Sequence, residues 1–92
     1  MTDEQKFRQM ETTTTNGSAN VTVNVNGHGA LVGDVVTFSG TTSLSGTSFS
    51  ASDFDRSFEV KSVTGTNSFV IQQDANESTG SVTTGTATAK FD

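Results

Sequence analysis

The sequence contains no cysteine, no proline, no tryptophan and no tyrosine, and only one histidine, His28. Without thiols and with a single imidazole, structural zinc, disulfide frameworks, iron–sulfur clusters and thiol catalysis are excluded. No cofactor is expected. The chain lacks an apolar run of the about 18 residues that a spanning helix requires. Its first fifteen residues, MTDEQKFRQMETTTT, lack the basic start and apolar centre of a signal peptide. Five Lys and Arg stand against ten Asp and Glu, a net charge of −5, whereas phosphate backbones are bound by clustered positive charge. Neither nucleic acid nor membrane is therefore expected as a partner.

What remains is short and thinly apolar. A chain of 92 residues has room for one domain and a tail. Its strong core formers are ten Val, seven Phe, two Leu and one Ile, close to the level at which chains stop folding alone. The apolar residues are mostly Val and Phe, which suit a pleated, half-buried surface, so an all-β domain is favoured.

Residues 1–17 differ from the rest and read as an N-terminal arm and tether, with residues 18–92 as the domain. Thr2 and Gln5 match a capping box, Asp3 and Glu4 lie where a helix dipole favours anions, and Phe7 and Met10 fall three apart on one face. The arm is expected to be flexible or briefly helical, ordered only when Phe7 and Met10 dock on something else. Thr12 to Gly17 reads as an extended tether.

From Ser18 the pattern has period two. Val21, Val23 and Val25 alternate with Thr22 and Asn24, the clearest strand in the chain. Gly27, His28 and Gly29 supply a turn, and Gly33-Asp34 a second, tight one in which the Asp34 carboxylate accepts backbone N–H groups. Val35 to Ser39 follows as a strand with Val36 and Phe38 inward. The Ser-, Thr- and Gly-rich stretch 39–57 is long for a structureless loop, so Thr47 to Ala51 is expected to pair as a short edge strand. Phe58, Val60 and Val63 mark the next strand, with Glu59 and Lys61 to solvent and a register shift near Ser62. Thr64 to Asn67 connects it to Ser68–Gln72, in which Phe69 and Ile71 face one way and Val70 the other. Thr86 to Phe91 closes the fold. Five or six short antiparallel strands with open edges cannot bury these side chains in a flat sheet, so a small barrel or compact sandwich is expected.

Taken together, Gly27 to Gly29 (GHG), Val32 to Asp34 (VGD), Val36 to Gly40 (VTFSG), Phe58 to Val63 (FEVKSV) and Asn67 to Ile71 (NSFVI) resemble a β-rich module recurrent in tailed-bacteriophage structural proteins. The likeness spans about residues 18–91. It departs in one place: the Leu that follows His-Gly in the module is Ala30 here, with Leu31 one position later. The resemblance implies a virion location and a place among tail, appendage or capsid proteins; fold alone does not fix the role.

Candidate chemistry is sparse. A catalytic role for His28 requires a nucleophile and an orienting carboxylate converging on it; between its glycines, a turn histidine bonding local backbone is the stronger reading. Asp53 and Asp55 could share a cation with Asp74 or Glu77, but the D-x-D-x-D-G pattern of a calcium loop is missing, and a solvated acidic loop beside Arg56 is favoured. The glycines lack the Lys or helix start of a phosphate loop. Three Asn-x-Ser/Thr sequons, at Asn16, Asn20 and Asn76, are read as ordinary polar positions. Carbohydrate recognition usually uses exposed Trp or Tyr, and there are none. Phe49 and Phe54 are either surface anchors for a partner or a lid over one barrel mouth.

The expected function is that of a non-enzymatic virion structural protein. It would dock on phage capsid or tail proteins through Phe7 and Met10 of its arm, through the barrel surface and through the Phe49–Phe54 loop. Homo-oligomers or many copies per particle would sum weak contacts. The alternative is a receptor- or glycan-binding module of a tail appendage. A hydrolase using His28 ranks last.

Overall fold

The computed structural model describes residues 7–91, with side chains from Met10 onward. Seven strands and one short helix follow in the order β1 (Phe7–Thr14), β2 (Asn20–Asn24), β3 (Val35–Thr42), α1 (Ala51–Phe54), β4 (Ser57–Glu59), β5 (Ser62–Gly65), β6 (Ser68–Gln72) and β7 (Thr83–Phe91). All pair antiparallel in one sheet of order β4-β3-β7-β1-β2-β6-β5. The chain is all-β, as its composition predicts.

The two ends of that order are consecutive in the chain, separated only by Val60 and Lys61. The Val60 amide donates to the Asp34 carbonyl beside β3 at 2.8 Å, and the Lys61 amide donates to the Val70 carbonyl of β6, also at 2.8 Å. One bent segment thus hydrogen-bonds to both edges and curls the sheet around its core, which removes most of the open-edge liability. The register shift expected near Ser62 is this change of partner. It explains why Val60 is fully buried while Val63 is exposed.

The inward faces follow the alternation of the sequence. Val21, Val23 and Val25 of the β2 segment, Val36 and Phe38 of β3, and Phe69 and Ile71 of β6 are all buried. Alanines 87 and 89 of β7 complete the interior opposite them. Small residues suffice there because Phe38, Phe58 and Phe69 fill the space between the walls, each such burial stabilising by about 1.5–3 kcal/mol.

The N-terminal expectation is corrected for residues 7–14. They form β1, between β7 and β2 in the middle of the sheet, and not a helix or a tether. Inward positions of β1 are Met10, Thr12 and Thr14, all buried. The Thr12 hydroxyl donates to the Thr84 carbonyl at 2.5 Å and that of Thr14 to the Gly80 carbonyl at 2.9 Å. A buried hydroxyl with a partner costs little, and β-branched Thr favours strands, so a face of threonines serves where apolar residues would be expected. The proposed capping residues Thr2 to Gln5, and the side chain of Phe7, lie outside the described residues.

A bulge in β7 sets its path along β1. Glu11 pairs with Thr86 and Thr12 with Thr84, leaving Gly85 unpaired at φ +81°. That φ favours glycine, and a Cβ there would come within 2.5 Å of Leu44 Cδ2.

The strand expected at Thr47 to Ala51 is absent. Residues 43–50 are irregular, and Ala51–Phe54 is a single helical turn. It brings Phe54, fully buried, edge-on to Phe49 with ring centroids 5.8 Å apart. Both rings belong to the hydrophobic core. Surface anchoring by these rings is excluded by their burial, and the same holds for Met10, which is 3% exposed within the core.

Candidate functional site

Two buried polar side chains lie at opposite ends of β2. After Asn24, Val25 donates its amide to the Asn67 carbonyl at 2.9 Å and the chain enters the Gly27–Gly29 turn. Positive φ at both glycines rotates the backbone around His28. The His28 Nδ1 accepts the Ala30 amide at 2.8 Å. The ring proton is therefore on Nε2, which faces two carbonyl oxygens, Gly65 at 2.9 Å and Ser68 at 3.1 Å. The ring meets Phe69 edge-on at 5.0 Å. Both nitrogens are committed to backbone groups of the two turns, so neither is left to take a proton from a bound molecule.

In the neighbouring turn, Asp34 Oδ2 accepts the Leu31 amide at 2.9 Å, and Gly33 at φ +94° turns the chain into β3. This is the carboxylate-to-backbone bond expected of that Asp. Ala30 is buried and Leu31 exposed. The inward position after the His-Gly pair is thus held by the smaller side chain.

At the other end of β2 the chain is tied by Glu77. Its amide donates to the Ser18 carbonyl at 2.9 Å, and its carbonyl accepts the Gly17 amide at 2.8 Å. The side chain is 1% exposed. Oε1 accepts the Thr47 hydroxyl, and Oε2 accepts the amides of Ser48 at 2.7 Å, Thr79 at 2.8 Å and Gly80 at 3.3 Å. Burial alone would raise the carboxyl pKa; outweighing it, the Thr47 hydroxyl and the Thr79, Ser48 and Gly80 amides lower it from 4.5 to about 2. Glu77 thereby ties residues 43–50 to 77–80 through its side chain and residues 16–18 through its backbone, without a cationic partner among the described residues. The segment DANESTG reads in sequence only as a polar turn. Its signal is a Glu followed within three residues by Thr79 and Gly80, whose amides converge on its carboxylate.

The acidic residues weighed together as a cation site are dispersed. Asp53 Oδ2 accepts the Ser50 amide at 2.8 Å, Asp55 Oδ1 accepts the Thr41 amide and hydroxyl at 3.0 and 2.6 Å, and Asp74 pairs with Arg56 at 3.3 Å. No group of three metal-ligating side chains occurs among the described residues.

Among the surface depressions, one of about 490 Å³ is lined by Met10, Glu11 and Asn24–Asn26, and two more border the segments described above. One, of about 600 Å³, lies beside the His28 turn and is lined by Gly27–Leu31 and Val63–Thr66, with no charged residue. Leu31, Val32 and Val63 are exposed by 69, 65 and 40%. The other is smaller and polar, and lies between α1 and the segment after β6.

No family model and no curated protein sequence matches the chain. Its fold is similar to part of a solved structure, the endosialidase of phage phi92. The TM-score is 0.69 at 23% sequence identity, over 94% of this chain and 12% of that one. The shared property is the fold: nearly the whole of this chain corresponds to a small fraction of a much longer phage protein.

Proposed function

We propose that this chain is a non-enzymatic structural module of a bacteriophage virion. The observation that carries the reading is the likeness of almost the entire barrel to 12% of a phage protein, the pattern of a unit reused within larger assemblies. Two features support it. His28 and Glu77, the polar groups best placed for chemistry, are engaged by backbone donors and acceptors at each end of β2. Of the large apolar side chains left exposed, Leu31, Val32, Val35 and Val63, two, Leu31 and Val63, line an uncharged depression and supply the contact with a neighbouring virion protein. Docking runs through the barrel surface, because Met10 is core and residues 7–14 are sheet.

The test is location. Antibody labelling or cryo-electron microscopy of purified particles is expected to find the chain at fixed, repeated positions, and the double variant Leu31→Asp with Val63→Asp is expected to fold yet fail to incorporate. Its presence only in the soluble fraction of infected lysates would overturn the proposal. So would esterase, peptidase or glycosidase activity of the isolated chain that is lost in His28→Ala.

A further inference from the structure

The chain holds two Asn-Gly pairs, Asn16-Gly17 and Asn26-Gly27. In such a pair the glycine amide nitrogen can lose its proton and attack the asparagine side-chain carbonyl carbon, because no Cβ crowds its approach. Ammonia leaves and a cyclic imide forms, which water opens at either carbonyl to aspartate or isoaspartate. Overall, water enters and ammonia departs, with no oxidant, reductant or further reactant. Attack requires an amide that has let go of its hydrogen-bond acceptor, so the partner of each glycine N–H controls the reaction.

Both asparagines are exposed, and both glycine amides are bonded, but to acceptors of different kinds. Gly17 donates to the Glu77 backbone carbonyl at 2.8 Å. That contact is fixed on both sides: the Glu77 amide donates to the Ser18 carbonyl at 2.9 Å, the Asn16 amide donates to the Ser81 hydroxyl at 2.8 Å, and Asn16 and Glu77 form a parallel bridge. Gly27 donates instead to Asn67 Oδ1 at 2.9 Å, and Asn67 is exposed. Rotation of one surface side chain frees the Gly27 amide, whereas freeing that of Gly17 requires the backbone around buried Glu77 to open. The turn survives the rotation, because the Val25 amide stays on the Asn67 backbone carbonyl and the His28 ring stays on Ala30, Gly65 and Ser68.

We propose that Asn26 is a site of spontaneous deamidation in the folded protein, gated by the Asn67 side chain, while Asn16 is kept intact by its backbone bridge to Glu77. Asn26 borders the depression lined by Met10 and Glu11, and Gly27 begins the uncharged one beside the His28 turn. The product adds a carboxylate between the two, on a chain already at a net charge of −5, and isoaspartate also lengthens the backbone of the turn by a methylene. If the virion reading holds, the contact face thus gains charge as the particle ages; the chemistry itself does not rest on that reading.

The experiment is peptide-mapping mass spectrometry of the whole folded chain aged in neutral buffer, with the same chain in urea as the unfolded reference. In urea the two asparagines are expected to convert at similar rates, and in the folded chain Asn26 converts well ahead of Asn16. Asn67→Ala removes the side-chain acceptor but keeps the backbone carbonyl that the Val25 amide uses. Conversion at position 26 then rises about two- to tenfold, the equivalent of one exposed hydrogen bond, with position 16 unchanged. Asn67→Asp keeps an oxygen for the Gly27 amide and converts no faster than wild type. Asn26 intact in the folded chain while the urea sample reacts, equal folded-state rates at the two positions, or a rate at position 26 that Asn67→Ala leaves unaltered would overturn the proposal. So would equal acceleration of both positions in Asn67→Ala, which would make Asn67 a support of the fold and not a gate.

Discussion

At one end of β2 a buried carboxylate ties two loops, and at the other an imidazole joins two turns. Glu77 accepts from one hydroxyl and three amides, whereas His28 accepts from one amide and donates toward two carbonyls. The task is the same, satisfying backbone groups that loops leave unpaired when they pack against a thin core. The difference lies in charge. A carboxylate can collect several donors because each amide offsets its desolvation, while the imidazole, with one acceptor and one donor, fits where amides and carbonyls must both be met.

The largest effect is expected at the Glu77 end. Glu77→Gln places an NH₂ where amides already point, and should cost about 3 kcal/mol, or roughly 12–24 °C in Tm for a domain of this size. Calorimetry measures it. A loss below about 1 kcal/mol would mean that water replaces the carboxylate's role.

The same residue makes stability pH-dependent. Its folded pKa lies below its unfolded one, so its stabilisation is fully present above pH 4.5 and is lost as pH falls toward about 2. Denaturant titrations across that window should show wild type losing more stability than Glu77→Gln.

At the other end, His28→Ala exposes the Ala30 amide and two carbonyls and removes the contact with Phe69, an expected loss of about 2 kcal/mol at pH 7. Gly85→Ala, remote from both ties, tests the β7 bulge. Leu44 can swing away, but φ +81° cannot be relieved, so the cost is about 1–2 kcal/mol. Leu31→Ser on the exposed side of the His28 turn should change stability by less than about 0.5 kcal/mol, which would separate its contact role from folding.

The parts of the fold legible in sequence are those where hydrophobicity alternates. Val21, Val23 and Val25, Val36 with Phe38, and Phe69 with Ile71 announce their strands because one face is apolar and the other is not. β1 is invisible by that criterion. Its inward face is Met10, Thr12 and Thr14, and the threonines become core residues only through acceptors at Thr84 and Gly80, far away in sequence. The burial of Phe49 and Phe54 is illegible for a related reason: a Phe in a polar stretch looks alike whether it anchors a partner or joins the core, until a helical turn orients it. In the site, the glycines around His28 and the Asp34 turn were readable from local chemistry. Glu77 was not, since its donors come from two loops whose approach is a product of the fold.

Residues 7–14, as an interior strand, move docking from an arm to the barrel surface. Amide hydrogen exchange tests that directly. The Thr14 amide, bonded to the Val82 carbonyl at 2.8 Å, and its neighbours in β1 should exchange as slowly as Val23, at the rate of global unfolding. Fast exchange of β1 with Val23 still protected would show a detachable arm and contradict the account.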